Sequence, residues 1–160
     1  MKETTLSICY RTLAYDELSA DDRQLVDEAV AATARSYVPY SHFRVGAAAR
    51  LANGTVVVGS NQENAAYPSG TCAERTTLFY ANSQYPDQPV TTLAVAARNE
   101  RDEYLPMPIS PCGACRQVML ETESRFGRPM RILLFGTQTV YELPSVSALL
   151  PFSFGAEALQ

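Results

Sequence analysis

One short stretch, Pro111-Cys112-Gly113-Ala114-Cys115, limits what this chain can fold into more than any other. A Cys-x2-Cys pair lets two thiolates grip a single ion from one turn of backbone. Cys72, in Thr71-Cys72-Ala73-Glu74-Arg75, is the third candidate thiolate. The fold must therefore carry two distant stretches to one point. Three protein ligands leave one corner of a tetrahedral zinc ion open for water, the pattern of a catalytic rather than a structural site. Glu74 lies two residues beyond Cys72 and is the natural general acid and base.

Other uses of the same cysteines compete with this reading. Structural zinc needs a fourth ligand, and only Cys9 and His42 remain to supply it. A redox pair leaves Cys72 and Glu74 without a role. Disulfides are rare in cytosolic chains, and residues 1–5 lead into no apolar run, so no secretory signal is expected. Cys9, in the alternating Leu6-Ser7-Ile8-Cys9-Tyr10, reads as a strand residue that packs like a small hydrophobe. His42 is the sole histidine, so a His-based triad or a two-His metal site has one residue to draw on.

At 160 residues a single domain is expected. Apolar residues make up 46% and charged residues 19%, enough for a core and too little charge for a disordered chain. No apolar run reaches the roughly 18 residues of a membrane helix. A cytoplasmic chain with no membrane partner is therefore expected. Net charge is -4, and Lys and Arg form no cluster, which disfavours nucleic acid as a partner.

Residues 6–18 alternate weakly and suit an edge strand followed by a turn. Ser19 with Asp21 and Asp22 marks a helix start, and Leu25, Val26, Ala29, Val30 and Thr33 recur at helical spacing up to Pro39. Residues 43–51 read as a strand, Asn53-Gly54 as a two-residue hairpin turn, and residues 55–60 as the return strand. A polar loop over 61–70 leads to a helix over about 72–81, with Thr71 as its expected cap. A buried strand over 93–97, a charged loop over 99–107, a helix over 113–125 and a strand over 131–135 follow. A last strand over 139–143 and a short helix over 146–150 complete the chain. After the hairpin the order is strand, helix, strand, helix, strand, which implies an α/β layer structure with a mixed sheet.

Both cysteine stretches sit where helices begin. Exposed amides there carry partial positive charge and favour thiolate over thiol. Zinc with three thiolates has net charge -1 and is a weaker Lewis acid than zinc held by neutral histidines. Helix dipoles offset this, and so does a nearby cation. Arg75, three residues from Cys72, is placed to donate hydrogen bonds to the sulfurs.

With these residues in view the chain resembles the small cytidine deaminases of the three-cysteine zinc type. The matching stretches begin with Tyr40-Ser41-His42-Phe43, then Val45-Gly46-Ala47-Ala48. Asn61-Gln62-Glu63-Asn64-Ala65 with Tyr67-Pro68 follows, then Cys72-Ala73-Glu74-Arg75-Thr76. The last are the run Ser110 to Val118 and Leu149-Leu150-Pro151 with Ser153-Phe154-Gly155. The match spans about residues 20–160, so residues 1–18 are expected to be an N-terminal extension and 19–160 the catalytic domain. Arg44 stands where many relatives have proline, and Ala66 where some have cysteine.

The resemblance implies a three-layer α/β/α fold with a mixed sheet of about five strands. It implies one zinc ion per chain held by Cys72, Cys112 and Cys115, with Glu74 as proton shuttle. Asn61 and Glu63 resemble the pair that holds the ribose hydroxyls, and Phe43 the aromatic that packs on the pyrimidine. The Ala73 backbone is expected to meet the base. A homotetramer with pockets shared between subunits is implied, in which Tyr67 and Phe154 serve a neighbour's site. The implied reaction is hydrolytic deamination of cytidine and deoxycytidine in pyrimidine salvage. Rival readings are a deaminase of another aminopyrimidine nucleoside, a nucleic-acid or nucleotide deaminase, and a non-catalytic zinc-stapled assembly protein.

Overall fold

The computed structural model describes residues 1–159. Among these residues, six strands form one mixed sheet in the order β1-β6-β5-β4-β2-β3. These are β1 (Arg11–Leu13), β2 (Arg44–Leu51), β3 (Val56–Ser60), β4 (Val90–Arg98), β5 (Arg131–Phe135) and β6 (Val140–Leu143). Only β4 and β5 pair in parallel; every other neighbouring pair is antiparallel. The resemblance implies about five strands; the sixth is β1, the edge strand expected within residues 6–18, which pairs with β6. No helix among the described residues is long and apolar enough to cross a membrane.

Three helices cover the sheet: α1 (Ala20–Ala32), α2 (Ala73–Gln84) and α3 (Gly113–Phe126). The Ser19 side chain caps α1 by accepting from the Asp22 amide. Strand alternation assigns the layers. Val45, Ala47, Ala49 and Leu51 of β2 share a core with Leu78 of α2 and Met119 of α3. The intervening Ala48 packs with Leu25, Val26 and Ala29 of α1. β4 splits the same way, with Leu93, Val95 and Ala97 on the α2/α3 side and Ala94 and Ala96 on the α1 side. The result is the expected α/β/α sandwich.

Small residues on β2 let α1 approach closely. A Cβ at Gly46 would lie 2.1 Å from the Ala29 carbonyl oxygen and 2.6 Å from the Thr33 amide nitrogen. The hairpin between β2 and β3 differs from the expectation. The Leu51 amide donates to the Thr55 carbonyl and the Gly54 amide to the Leu51 carbonyl, so three residues, 52–54, make the turn. Gly54 takes φ +87°, the left-handed position such a loop requires. The parallel β4–β5 crossover runs through α3, while α2 enters from β3. The N-termini of α2 and α3 therefore lie side by side on one face of the sheet.

Candidate active site

Cys72 is the N-cap of α2 and Cys112 the N-cap of α3, both in extended conformation. Thr71, the expected cap, lies one residue outside. Neither sulfur takes a capping hydrogen bond from its own helix. The Cys72 and Cys112 carbonyls instead accept from the Thr76 and Arg116 amides, each at 3.0 Å, and close the first turns. The sulfurs are left to face one another. Cys72 Sγ lies 3.9 Å from Cys112 Sγ, which lies 3.5 Å from Cys115 Sγ. All three fall within 4.8 Å of each other.

That spacing tests the metal reading. Tetrahedral zinc with bonds of about 2.3 Å holds its sulfurs about 3.8 Å apart. A disulfide needs about 2.05 Å, and all the cysteines are free. The residues present therefore fit zinc. Charge is already biased toward a thiolate. A hydrogen bond from Cys115 pulls the Cys72 thiol down to about 5 against its burial, helped by Arg75 and Cys112. The same hydrogen bond, burial and the Glu74 carboxylate push the Cys115 thiol up. These opposed shifts favour negative charge on Cys72 over Cys115, and a cation held by the three sulfurs would compete for the remaining protons.

Glu74 stands in the first turn of α2 and is 4% exposed. Burial raises its carboxyl above the ordinary range, its own backbone amide opposes the rise, and the Cys72 thiolate adds to it. Arg75 points Nη2 at Cys72 Sγ, 3.8 Å away.

An antiparallel bridge brings the polar loop to this cluster. The Gln62 amide donates to the Thr71 carbonyl and the Thr71 amide to the Gln62 carbonyl, both at 2.9 Å. A cavity of about 510 Å³ opens beside it, lined by Asn61, Glu63, Tyr67, Cys72 and Arg75, with Tyr40 opposite Tyr67. The two tyrosine rings meet edge-on, 6.0 Å apart. Residue motifs alone assigned Tyr40 no role; its signal is its place in the loop that faces Asn61 and Glu63.

The remaining candidates lie elsewhere. Phe43 is half-buried against the α2/α3-side core, and Ala73 is fully buried. Glu74, Cys112 and Cys115 lie beyond the cavity lining, which reaches the sulfurs through Cys72. Phe154 is largely exposed and outside the cavity, its carbonyl accepting from Gln117 Nε2 at 2.9 Å.

Residues 19–126 match the family model of the cytidine and deoxycytidylate deaminase zinc-binding region. A cytidine deaminase of Halalkalibacterium halodurans is 42% identical over 137 residues, which is 86% of this chain and 96% of that protein. The chain belongs to the cytidine deaminase family. Another relative, the cytidine deaminase of Sporosarcina psychrophila, is 40% identical over 139 residues, 87% of this chain and 95% of that one. The crystal structure of cytidine deaminase from Burkholderia pseudomallei shares the fold at a TM-score of 0.69 and 40% identity. It is matched over 82% of this chain and 97% of that chain. In this cytidine deaminase-family chain the zinc-binding region carries one three-sulfur cluster, which accounts for one zinc ion per chain.

Proposed function

We propose that this chain hydrolyses cytidine and deoxycytidine to uridine and deoxyuridine, releasing ammonia. The observation that carries the reading is the buried carboxylate of Glu74 at the same helix mouth as the Cys72–Cys112–Cys115 cluster. Zinc, when bound there, supplies Lewis acidity that acidifies water. Glu74 accepts the proton that water gives up as it adds to carbon 4 of the pyrimidine. Glu74 hands that proton to ring nitrogen 3, then takes the remaining proton from the oxygen now on carbon 4 and delivers it to the amine as the carbon–nitrogen bond breaks and ammonia leaves. Burial holds Glu74 ready to carry the proton between these steps. Arg75 steadies the charge on Cys72. Asn61 and Glu63, which line the cavity, take the sugar hydroxyls. Phe43 packs on the pyrimidine, and the Ala73 backbone meets its edge.

The cavity is open, and two large aromatic side chains stand uncovered, Tyr67 in its lining and Phe154 outside it. Tyr67 is 76% exposed and Phe154 60%. These exposures support a homotetramer in which Tyr67 and Phe154 complete a neighbour's pocket. We also place the reaction in pyrimidine salvage in the cytoplasm, and read residues 1–18 as an extension of a catalytic domain over 19–160. In the decisive experiment, loss of cytidine absorbance is followed with and without a zinc chelator. Turnover abolished by the chelator and restored by zinc is expected. A purified, zinc-loaded protein that leaves cytidine unchanged sinks the reading.

A further inference from the structure

We propose that Asn61 is a positioning residue that holds the Tyr40–Val45 wall of the cavity, a role separate from any contact with a sugar. Its carboxamide is engaged at both ends by backbone. Oδ1 accepts from the Val45 amide at 2.8 Å, and Nδ2 donates to the Phe43 carbonyl at 2.9 Å. The Asn61 amide also donates to the Val45 carbonyl at 3.1 Å. The side chain thus acts as an added rung at the mouth of β2, gripping the chain on both sides of Arg44.

This wall needs holding. His42 takes φ +55°, a left-handed conformation unfavourable for a residue with a Cβ. The Glu63 carboxylate holds the segment ahead of it: Oε2 accepts from the Tyr40 amide at 2.9 Å and the Ser41 amide at 3.2 Å. Two side chains leaving β3 therefore suspend the segment that carries Tyr40, Ser41 and Phe43. Asparagine suits its place because the grip needs one donor and one acceptor on a single short side chain. Aspartate would set an oxygen against the Phe43 carbonyl, and alanine would leave both backbone groups without this partner. A carboxamide has a second lone pair and a second hydrogen, so sugar contact and wall-holding coexist.

The two roles separate by experiment. This inference rests on the deaminase reading for its kinetic half alone. Zinc-loaded wild type, Asn61→Ala and Asn61→Asp are assayed on cytidine and on 2′,3′-dideoxycytidine, which lacks the sugar hydroxyls in question. A positioning role predicts that kcat/KM falls about tenfold or more on both nucleosides in both variants. A loss seen with cytidine and absent with the dideoxy analogue overturns it. Independently, amide hydrogen exchange is measured on the substrate-free proteins. The Val45 amide is expected to exchange at least about tenfold faster in Asn61→Ala while the β4 and β5 amides keep their protection. Unchanged Val45 exchange overturns the inference. Wild type inert on both nucleosides would sink the functional reading and leave the exchange result to decide this one.

Discussion

The sulfurs of Cys72 and Cys112 lie 3.9 Å apart across 40 residues of chain, each on the N-cap of a different helix. The contact exists because α2 and α3 pack side by side, with Asn82 Nδ2 donating to Thr122 Oγ1 between them at 3.1 Å. The metal site is thus an outcome of helix packing as much as of cysteine spacing. Zinc in turn links the two helix mouths.

Metal should therefore stabilise the fold. A site filled at a thousand times its dissociation constant adds about 4 kcal/mol. Chelation is expected to lower Tm by roughly 10 °C in a chain of this length. Cys115→Ala, which removes the fully buried sulfur, is expected to lose most of its zinc by metal analysis, whereas Cys9→Ala keeps a full equivalent. Full zinc in Cys115→Ala would contradict the three-sulfur assignment.

Glu74 is expected to matter for turnover and little for metal. Glu74→Gln keeps the shape and removes the proton carrier. Its kcat should drop by about a hundredfold to ten-thousandfold with zinc content unchanged. Near-normal turnover in this variant would remove Glu74 from the mechanism.

The acid limit of stability should trace partly to Asp22. This carboxylate is 6% exposed and pairs with Arg131 at 2.9 Å and Arg50 at 3.4 Å. Burial alone would raise its pKa; hydrogen bonds with Arg131 and Ser19 outweigh burial and hold it below the ordinary value. A depressed carboxyl adds stability that is complete above its unfolded pKa of about 4 and is lost as pH falls through the folded value. Asp22→Asn should thus cost about 2 kcal/mol at pH 7, read from the urea midpoint. The gap between variant and wild type should narrow as pH drops below about 4. A gap that is constant with pH would show that the ion pair is not its source.

Gly46 should tolerate no side chain. An added methyl meets the backbone of α1 at 2.1 Å, and backbone cannot swing aside as a flexible side chain can. Gly46→Ala is expected to lose about 3 kcal/mol. A urea midpoint equal to wild type would mean that α1 shifts freely over β2.

Much of the fold was legible because burial periodicity is local. Ser19 capping α1 and the helix over 113–125 followed from residue type and spacing. So did the β5 strand. Asn53-Gly54 suits two turn types, and only the pairing of Leu51 with Thr55 selects the three-residue hairpin over the two-residue one. Thr71 reads as the cap of α2 although Cys72 holds that place, since a hydroxyl resembles a cap in sequence whether or not it faces the helix. The edge strand expected within residues 6–18 narrows to Arg11–Leu13, because its extent is set by pairing with β6, about 130 residues away.

By itself the sequence determined the chemical inventory: three thiols in a ligand spacing, one acid beside them, and periodicities that separate strands from helices. These are properties of residue type and short-range geometry. Tertiary structure alone decided that the sulfurs converge to a zinc-sized triangle, that Glu74 is buried beside them, and that the Asn61 carboxamide is engaged by the Phe43–Val45 backbone. Each of these depends on packing between segments distant in the chain, where a shift of one ångström separates a ligand set from three unrelated cysteines.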